Sequence, residues 1–324
     1  MLVTLEKAQE LINSGKLLMI AGDQTLLSKL PTGLWIGGSI PYFIAENGGV
    51  FSKDKVFVTE LDKKQFSHPA ATSYTETTIS QIAKMADDDS LTFLILPFAS
   101  TVHHVYSKQA PDFPGMFSKP IVGWISGIAL DEIGKVQPSV MNGFTGEIFT
   151  DRAVALRCNT PQGKPARIGI VNIFHQGAGD TIEFLDESFD VKDAMVNGKQ
   201  VNFSKYLEDN KIDTQLPLVA NFSGAKINVS VMANDAAKGI VHLYAPVFKN
   251  VAYKIAAPLG DYPKAFEVAL KELEKKSVVF SCNCILNYLY GGLEGKKTGS
   301  ATGPVTFGEI AYQLVNQTFV YVEF

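Results

Sequence analysis

Val278-Val-Phe-Ser-Cys-Asn-Cys284, continued by Ile285-Leu-Asn-Tyr-Leu-Tyr290 and Gly291-Gly292, is the stretch on which the reading of the fold turns. It follows the best helix pattern in the chain. Asp261 and Pro263 start that helix, Phe266, Ala269, Leu270 and Leu273 share one face, and Lys271, Glu272, Lys275 and Lys276 share the other. A strand over Ser277–Ser281 that leaves such a helix directly and ends in small polar residues belongs to a layered arrangement of sheet and helix. In such folds strand ends are where ligand crevices lie. Ser281, Cys282 and Asn283 would place a hydroxyl, a thiol and an amide at one spot.

Working outward, Phe307-Gly-Glu-Ile310 sets Glu309 in an apolar run, and Phe319–Phe324 closes the chain as a strand. A carboxylate in that setting either faces water at a strand edge or is buried with a partner, because an unpaired buried charge is too costly. With a ligand ammonium as partner it is a recognition group; otherwise it is a structural hydrogen bond that fixes the Gly308 turn. Both readings stay open at this stage. Upstream, Leu91–Phe98 is a continuous apolar run of strand length, as in a central strand buried on both faces. Thr4 caps a helix over Leu5–Ser14, Leu17–Ala21 and Val56–Leu61 read as strands, and Asp23 caps a helical turn. A helix through Ile79, Ile82 and Ala83 is expected to end near the acidic run Asp87–Asp89. Beyond the loop Asn159–Ala166, strand candidates at Ile168–Phe174, Thr181–Leu185, Leu216–Phe222, Ile227–Met232, Ile240–Tyr244 and Val251–Ala256 are separated by turns such as Asn197-Gly198, Ser223-Gly224 and Lys238-Gly239. The expected fold is α+β and two-lobed, two mixed sheets flanked by helices, with lobes at 1–175 and 176–324. An echo between Trp35-Ile-Gly-Gly-Ser39 and Gly123-Trp-Ile-Ser-Gly127 reads as chance, and no short fixed repeat is visible.

Composition excludes several classes. With 46% hydrophobic and 19% charged residues the chain is globular, and a net charge of −4 without a Lys/Arg cluster argues against a nucleic-acid partner. The N-terminus lacks the basic-then-apolar order of a signal peptide, and no apolar run is long enough to span a bilayer. Three cysteines make no complete disulfide framework, so a cytoplasmic location is expected. Zinc wants four ligands, more than Cys-x-Cys supplies, and the adjacent His103 and His104 point apart on a helix. Gly37-Gly38-Ser39 has neither the phosphate-loop pattern nor a lysine in register, and Gly291–Lys297 fails the same test. No cofactor is expected. Cys282 or Cys284 could serve a thiol-dependent hydrolase or transferase with His68, His104, His175 or His242, although spacing selects none of them. Either cysteine also reads as a small buried hydrophobe.

Phe280-Ser-Cys282, a glycine-rich stretch, Phe307-Gly-Glu-Ile310 and Asn316-Gln-Thr318 before a terminal strand stand in the order seen in the C-terminal half of FIST domains, which this chain resembles. Trp35–Ser39, Lys119-Pro-Ile-Val-Gly-Trp124 and Asp180–Tyr206, with Val196-Asn-Gly-Lys199, are similar to upstream parts of that family. The likeness therefore runs from Leu34 to Phe324. It implies an intracellular sensory module that binds a small molecule, an amino acid or an amine, in a pocket between lobes. The implied site residues are Ser281, Cys282, Asn283, Gly308 and Glu309, with Gly37, Gly38 and Ser39 from the other lobe. The chain departs from the family at Asn283-Cys284-Ile285-Leu286, where an arginine often stands to hold an α-carboxylate. With no output domain beside it, the implied route for a signal is a partner protein.

Overall fold

Three stretches of the chain build one and the same unit, as a computed structural model of all residues except 85–88 and 223–224 establishes. The first contains Leu2–Val3 (β1), helix Leu5–Asn13 (α1), Leu17–Gly22 (β2), helix Gln24–Leu27 (α2) and Trp35–Ser39 (β3). Tyr42–Ala45 (β4), Gly48–Phe51 (β5) and Val56–Leu61 (β6) complete it. The second runs through Ser67–Tyr74 (β7), Ser90–Pro97 (β8), helix Thr101–Gln109 (α3), Ile121–Ser126 (β9), Val140–Asn142 (β10), Glu147–Phe149 (β11) and Ala153–Asn159 (β12). The third opens with Arg167–Val171 (β13) and is then interrupted by an insert of nine strands, from Ile182–Phe184 (β14) to Tyr253–Ile255 (β22). It resumes with helix Tyr262–Leu270 (α4), Val278–Cys284 (β23), helix Ile285–Tyr290 (α5), Gly303–Thr306 (β24), Glu309–Ala311 (β25), Gln313–Val315 (β26) and Phe319–Glu323 (β27).

In every unit a strand–helix–strand crossover lays two strands parallel: β2 with β3, β8 with β9, and β23 with β24. The last strand of each unit pairs antiparallel with the first member of that pair, and the opening strand then covers its outer edge. The fifth and sixth positions of each sheet are filled by exchange. Hairpin β4–β5 joins β24, hairpin β10–β11 joins β3, and hairpin β25–β26 joins β9. The result is three six-stranded mixed sheets of identical order, linked in a closed ring. Each exchange protects a strand edge that would otherwise be open to pairing with another chain.

The parallel pairs lie in the core. All eight residues of β8 are buried, which is why it is apolar at every position but Ser90 and Thr92. Phe280 of the third unit stacks on Trp124 of the second at 5.9 Å and meets Phe93 edge-on at 5.3 Å. One glycine per unit lets the parallel partners approach. A Cβ on Gly37 would sit 2.6 Å from the Ile20 carbonyl oxygen, one on Gly123 1.8 Å from that of Leu94, and one on Gly303 2.3 Å from that of Ser281. No side chain fits at those distances.

The mixed-sheet α+β class expected from sequence is present, at 41% strand and 19% helix. The number of mixed sheets is three, not two, and the Trp35/Gly123 echo is structural: both segments are second parallel strands of equivalent units. Position 175/176 lies between β13, which ends at Val171, and β14, which opens the insert at Ile182. One sheet of six strands and one of three are made wholly from the insert, whereas residues beyond it return to sheets begun before it. Helix boundaries follow the expected caps, with Thr4 accepting from the Lys7 N–H and Asp261 from the Lys264 N–H. The helix expected through Ile79–Ala83 is a single 3₁₀ turn at Ile79–Gln81. Asp87, Asp88 and the Ser223-Gly224 turn lie outside the described residues. Among the described residues no helix is long and apolar enough to cross a membrane.

Candidate functional site

The crossover places an equivalent corner at the end of each first parallel strand, where the chain turns into a helix. Asp23, Ser100 and Cys284 are the N-cap residues there. Asp23 and Ser100 accept helix N–H groups, from Thr25 and His103, while Cys284 makes no side-chain cap bond. The three corners differ in what fills them.

The third corner is closed. Glu309, fully buried, receives the Thr318 hydroxyl at 2.8 Å and the Thr318 N–H at 3.4 Å on Oε2, with the Thr306 hydroxyl 3.4 Å from Oε1. The Cys284 thiol is a further hydrogen-bond partner. Burial pushes the Glu309 carboxyl well above the usual carboxylate range, and these donors only partly offset it. Around it, Asn287 donates to Asn283 Oδ1 at 2.8 Å and to the Thr318 carbonyl at 3.0 Å, and itself accepts from the Tyr262 hydroxyl at 2.5 Å. The loop before β27 is tied to the insert as well: the Ser230 N–H donates to Asn316 Oδ1 at 3.2 Å, and the Ser230 hydroxyl donates to Gln317 Oε1 at 2.6 Å.

Burial, with Glu309 adding to it, raises both the Cys282 and the Cys284 thiol well above the ordinary value. That is the reverse of what a nucleophilic thiolate needs. Cys282 donates to the Gly123 carbonyl at 3.3 Å. The histidines bond elsewhere: His68 to Ser67, His175 to Lys226, His242 to Asp190. His103 accepts from the Ala99 N–H and is pushed down to about 3 by burial. Among the described residues no cluster of metal-ligating side chains exists.

The eight residues singled out from sequence therefore divide. Asn283, Gly308 and Glu309 meet through the Thr306 hydroxyl, which lies within 3.4 Å of a group on each, and Cys282 packs beneath them. Ser281, on the face of β23 opposite Cys282, is bonded to the Thr302 carbonyl at 2.7 Å, in a crevice of about 490 Å³ with Glu60, Glu274 and Lys276. Gly37 and Gly38 are packing positions; a Cβ on Gly38 would sit 3.0 Å from the Trp124 indole nitrogen. Of these three, Ser39, at the end of β3, lines an open crevice.

That crevice, of about 210 Å³, is the first corner. The Ser39 hydroxyl accepts from the Ser139 N–H at 2.9 Å, and its own proton has no acceptor among the described residues. Asp23 uses Oδ1 for the Thr25 N–H and hydroxyl, which leaves Oδ2 toward Lys53 at 4.0 Å. Lys53 reaches Glu132 at 2.5 Å, and that bond raises the ammonium above its ordinary value. Lys53 and Glu132 escaped the sequence reading because nothing local marks them. Gly37-Gly38-Ser39 lacks a lysine in register, yet the loop between β5 and β6 brings Lys53 to it.

A three-unit α+β protein with one closed and two open strand-end corners is the class that fold and site define. A family model matches residues 3–324, and the chain belongs to that family, a family of unknown function (DUF6976). No curated protein and no solved structure matches the chain.

Proposed function

We propose that this protein is an intracellular sensory module that binds a small amine or amino acid in the Ser39 crevice and signals through a partner protein. The observation that carries the reading is the charge arrangement: two carboxylates, Asp23 and Glu132, flank the single ammonium of Lys53 above a buried hydroxyl. Such a crevice has one unmatched negative charge for a ligand ammonium, and Lys53 can exchange Glu132 for a ligand carboxylate. Ser39 supplies the directional donor that fixes orientation. The resemblance to FIST domains agrees in using the Gly37–Ser39 segment at the end of β3. Glu309 takes the structural role in this reading, because its oxygens are already engaged by Thr318, Thr306 and Cys284. The thiol-dependent alternative draws no support from cysteines that are buried and raised.

The test is calorimetric titration with a panel of amino acids and short amines, on the parent chain and on Lys53→Met and Glu132→Gln. Saturable binding that Glu132→Gln weakens about tenfold is expected, from loss of one charge-assisted hydrogen bond. Absence of binding by every member at millimolar concentration overturns the proposal.

A further inference from the structure

The second corner opens directly beside the first. Its crevice, of about 580 Å³, lies at the end of β8 and is walled by Phe98, Phe307, Ile128, Ile133 and Val136, with Ser100, Gln137, Thr150 and Lys135 also lining it; the Lys135 ammonium donates to the Asp131 carbonyl at 2.9 Å. Phe98 and Phe307 meet edge-on at 5.2 Å, so the floor is an aromatic pair. Ile128 and Val136 line both crevices, which therefore meet across these two side chains. A single segment serves both. Residues 128–138 carry Glu132 into the polar crevice and Ile133 into the apolar one, with Ile133 half exposed at its rim. The strand ends beneath are locked together by the Gly127 N–H donating to the Ser39 carbonyl at 2.6 Å.

A small headgroup of net negative charge beside a larger apolar trough selects an amphipathic cation. Resting on the Ser39 reading above, we infer that the ligand is an amphipathic primary amine. Its ammonium lies against Asp23 Oδ2, the carboxylate oxygen that Lys53 approaches only to 4.0 Å while bonded to Glu132, and its hydrocarbon or aromatic tail crosses Ile128 and Val136 onto Phe98 and Phe307. The unmatched carboxylate sets the sign of the head, and the apolar walls set the character of the tail.

The experiment is calorimetric titration of the full chain with methylamine, n-butylamine and n-hexylamine, with hexanoate as the charge-inverted probe. It is repeated on Ile133→Asn, an exposed-rim substitution that leaves the core untouched. Affinity should rise about fourfold for each methylene that enters the apolar crevice. Ile133→Asn should reduce that gain without changing methylamine binding, and hexanoate should bind at least tenfold more weakly than n-hexylamine. Equal affinity for methylamine and n-hexylamine overturns the inference while leaving the Ser39 reading intact. A chain-length gain that survives unchanged in Ile133→Asn also overturns it, as does hexanoate binding as tightly as n-hexylamine. If no amine binds at all, this inference and the Ser39 reading fall together.

Discussion

Glu309→Gln isolates the protonation state of the buried carboxyl, and its effect can be worked from the surroundings. Burial holds the folded-state pKa of Glu309 above its unfolded value, which is about 4.3. The neutral acid is therefore the form that the fold favours. Below the unfolded pKa both states are protonated, and the contribution is fully present. As pH rises from there, only the unfolded chain ionises, so stability falls by about 1.4 kcal/mol per pH unit until the folded pKa is reached. Glutamine matches the neutral acid in size and can still accept from the Thr318 hydroxyl, now 2.8 Å from Oε2. It carries no proton to lose. Urea denaturation of both proteins at half-unit steps from pH 4.5 to 8 should give curves that diverge, the parent losing stability relative to the variant by about 1.4 kcal/mol per unit over the affected window. Parallel curves would mean that Glu309 is ionised in the fold, and would refute the reasoning. A variant that fails to fold at any pH would instead mark the carboxylic O–H as an essential donor, to be checked by the same titration on Thr318→Val.

Two further outcomes follow from the packing. Gly123→Ala places a Cβ 1.8 Å from the Leu94 carbonyl oxygen and should cost more than 4 kcal/mol, whereas Gly179→Ala, with nothing within 4 Å, should stay within about 0.5 kcal/mol of the parent. Thermal unfolding checks both, and a well-tolerated Gly123→Ala would contradict the β8–β9 pairing. Cys158, Cys282 and Cys284 are all buried, with the Cys158 thiol pushed up to about 12, so iodoacetamide at pH 8 should label them only after denaturant is added. Rapid labelling of Cys282 or Cys284 in the native protein, read by mass spectrometry, would revive the catalytic-thiol reading.

The elements themselves were legible where local chemistry is strong. Leu91–Phe98 announces a doubly buried strand because both its faces need apolar residues. Asp23, Thr4 and Asp261 announce helix starts because their side chains satisfy N–H groups a few residues on. The threefold repetition was barely legible. Each unit requires only apolar strands and one glycine facing a carbonyl, so the units share topology with little shared sequence, and the third is split by the insert. The predicted site was half legible. Thr306 does gather Asn283, Gly308 and Glu309, but an isolated carboxylate in an apolar run has the same appearance whether its partner is a ligand or a threonine.

By itself the sequence determined the α+β class, the doubly buried strand at Leu91–Phe98, the caps and the concentration of polar groups near Cys284 and Glu309, because each depends on residues within a few positions of one another. Only the tertiary structure decided that three units exchange hairpins in a ring, that Glu309 is enclosed, and that Lys53 and Glu132, 79 residues apart, meet over Ser39. Those outcomes depend on which strand edge receives which hairpin, and that choice is fixed by the packing of distant segments, not by any local pattern.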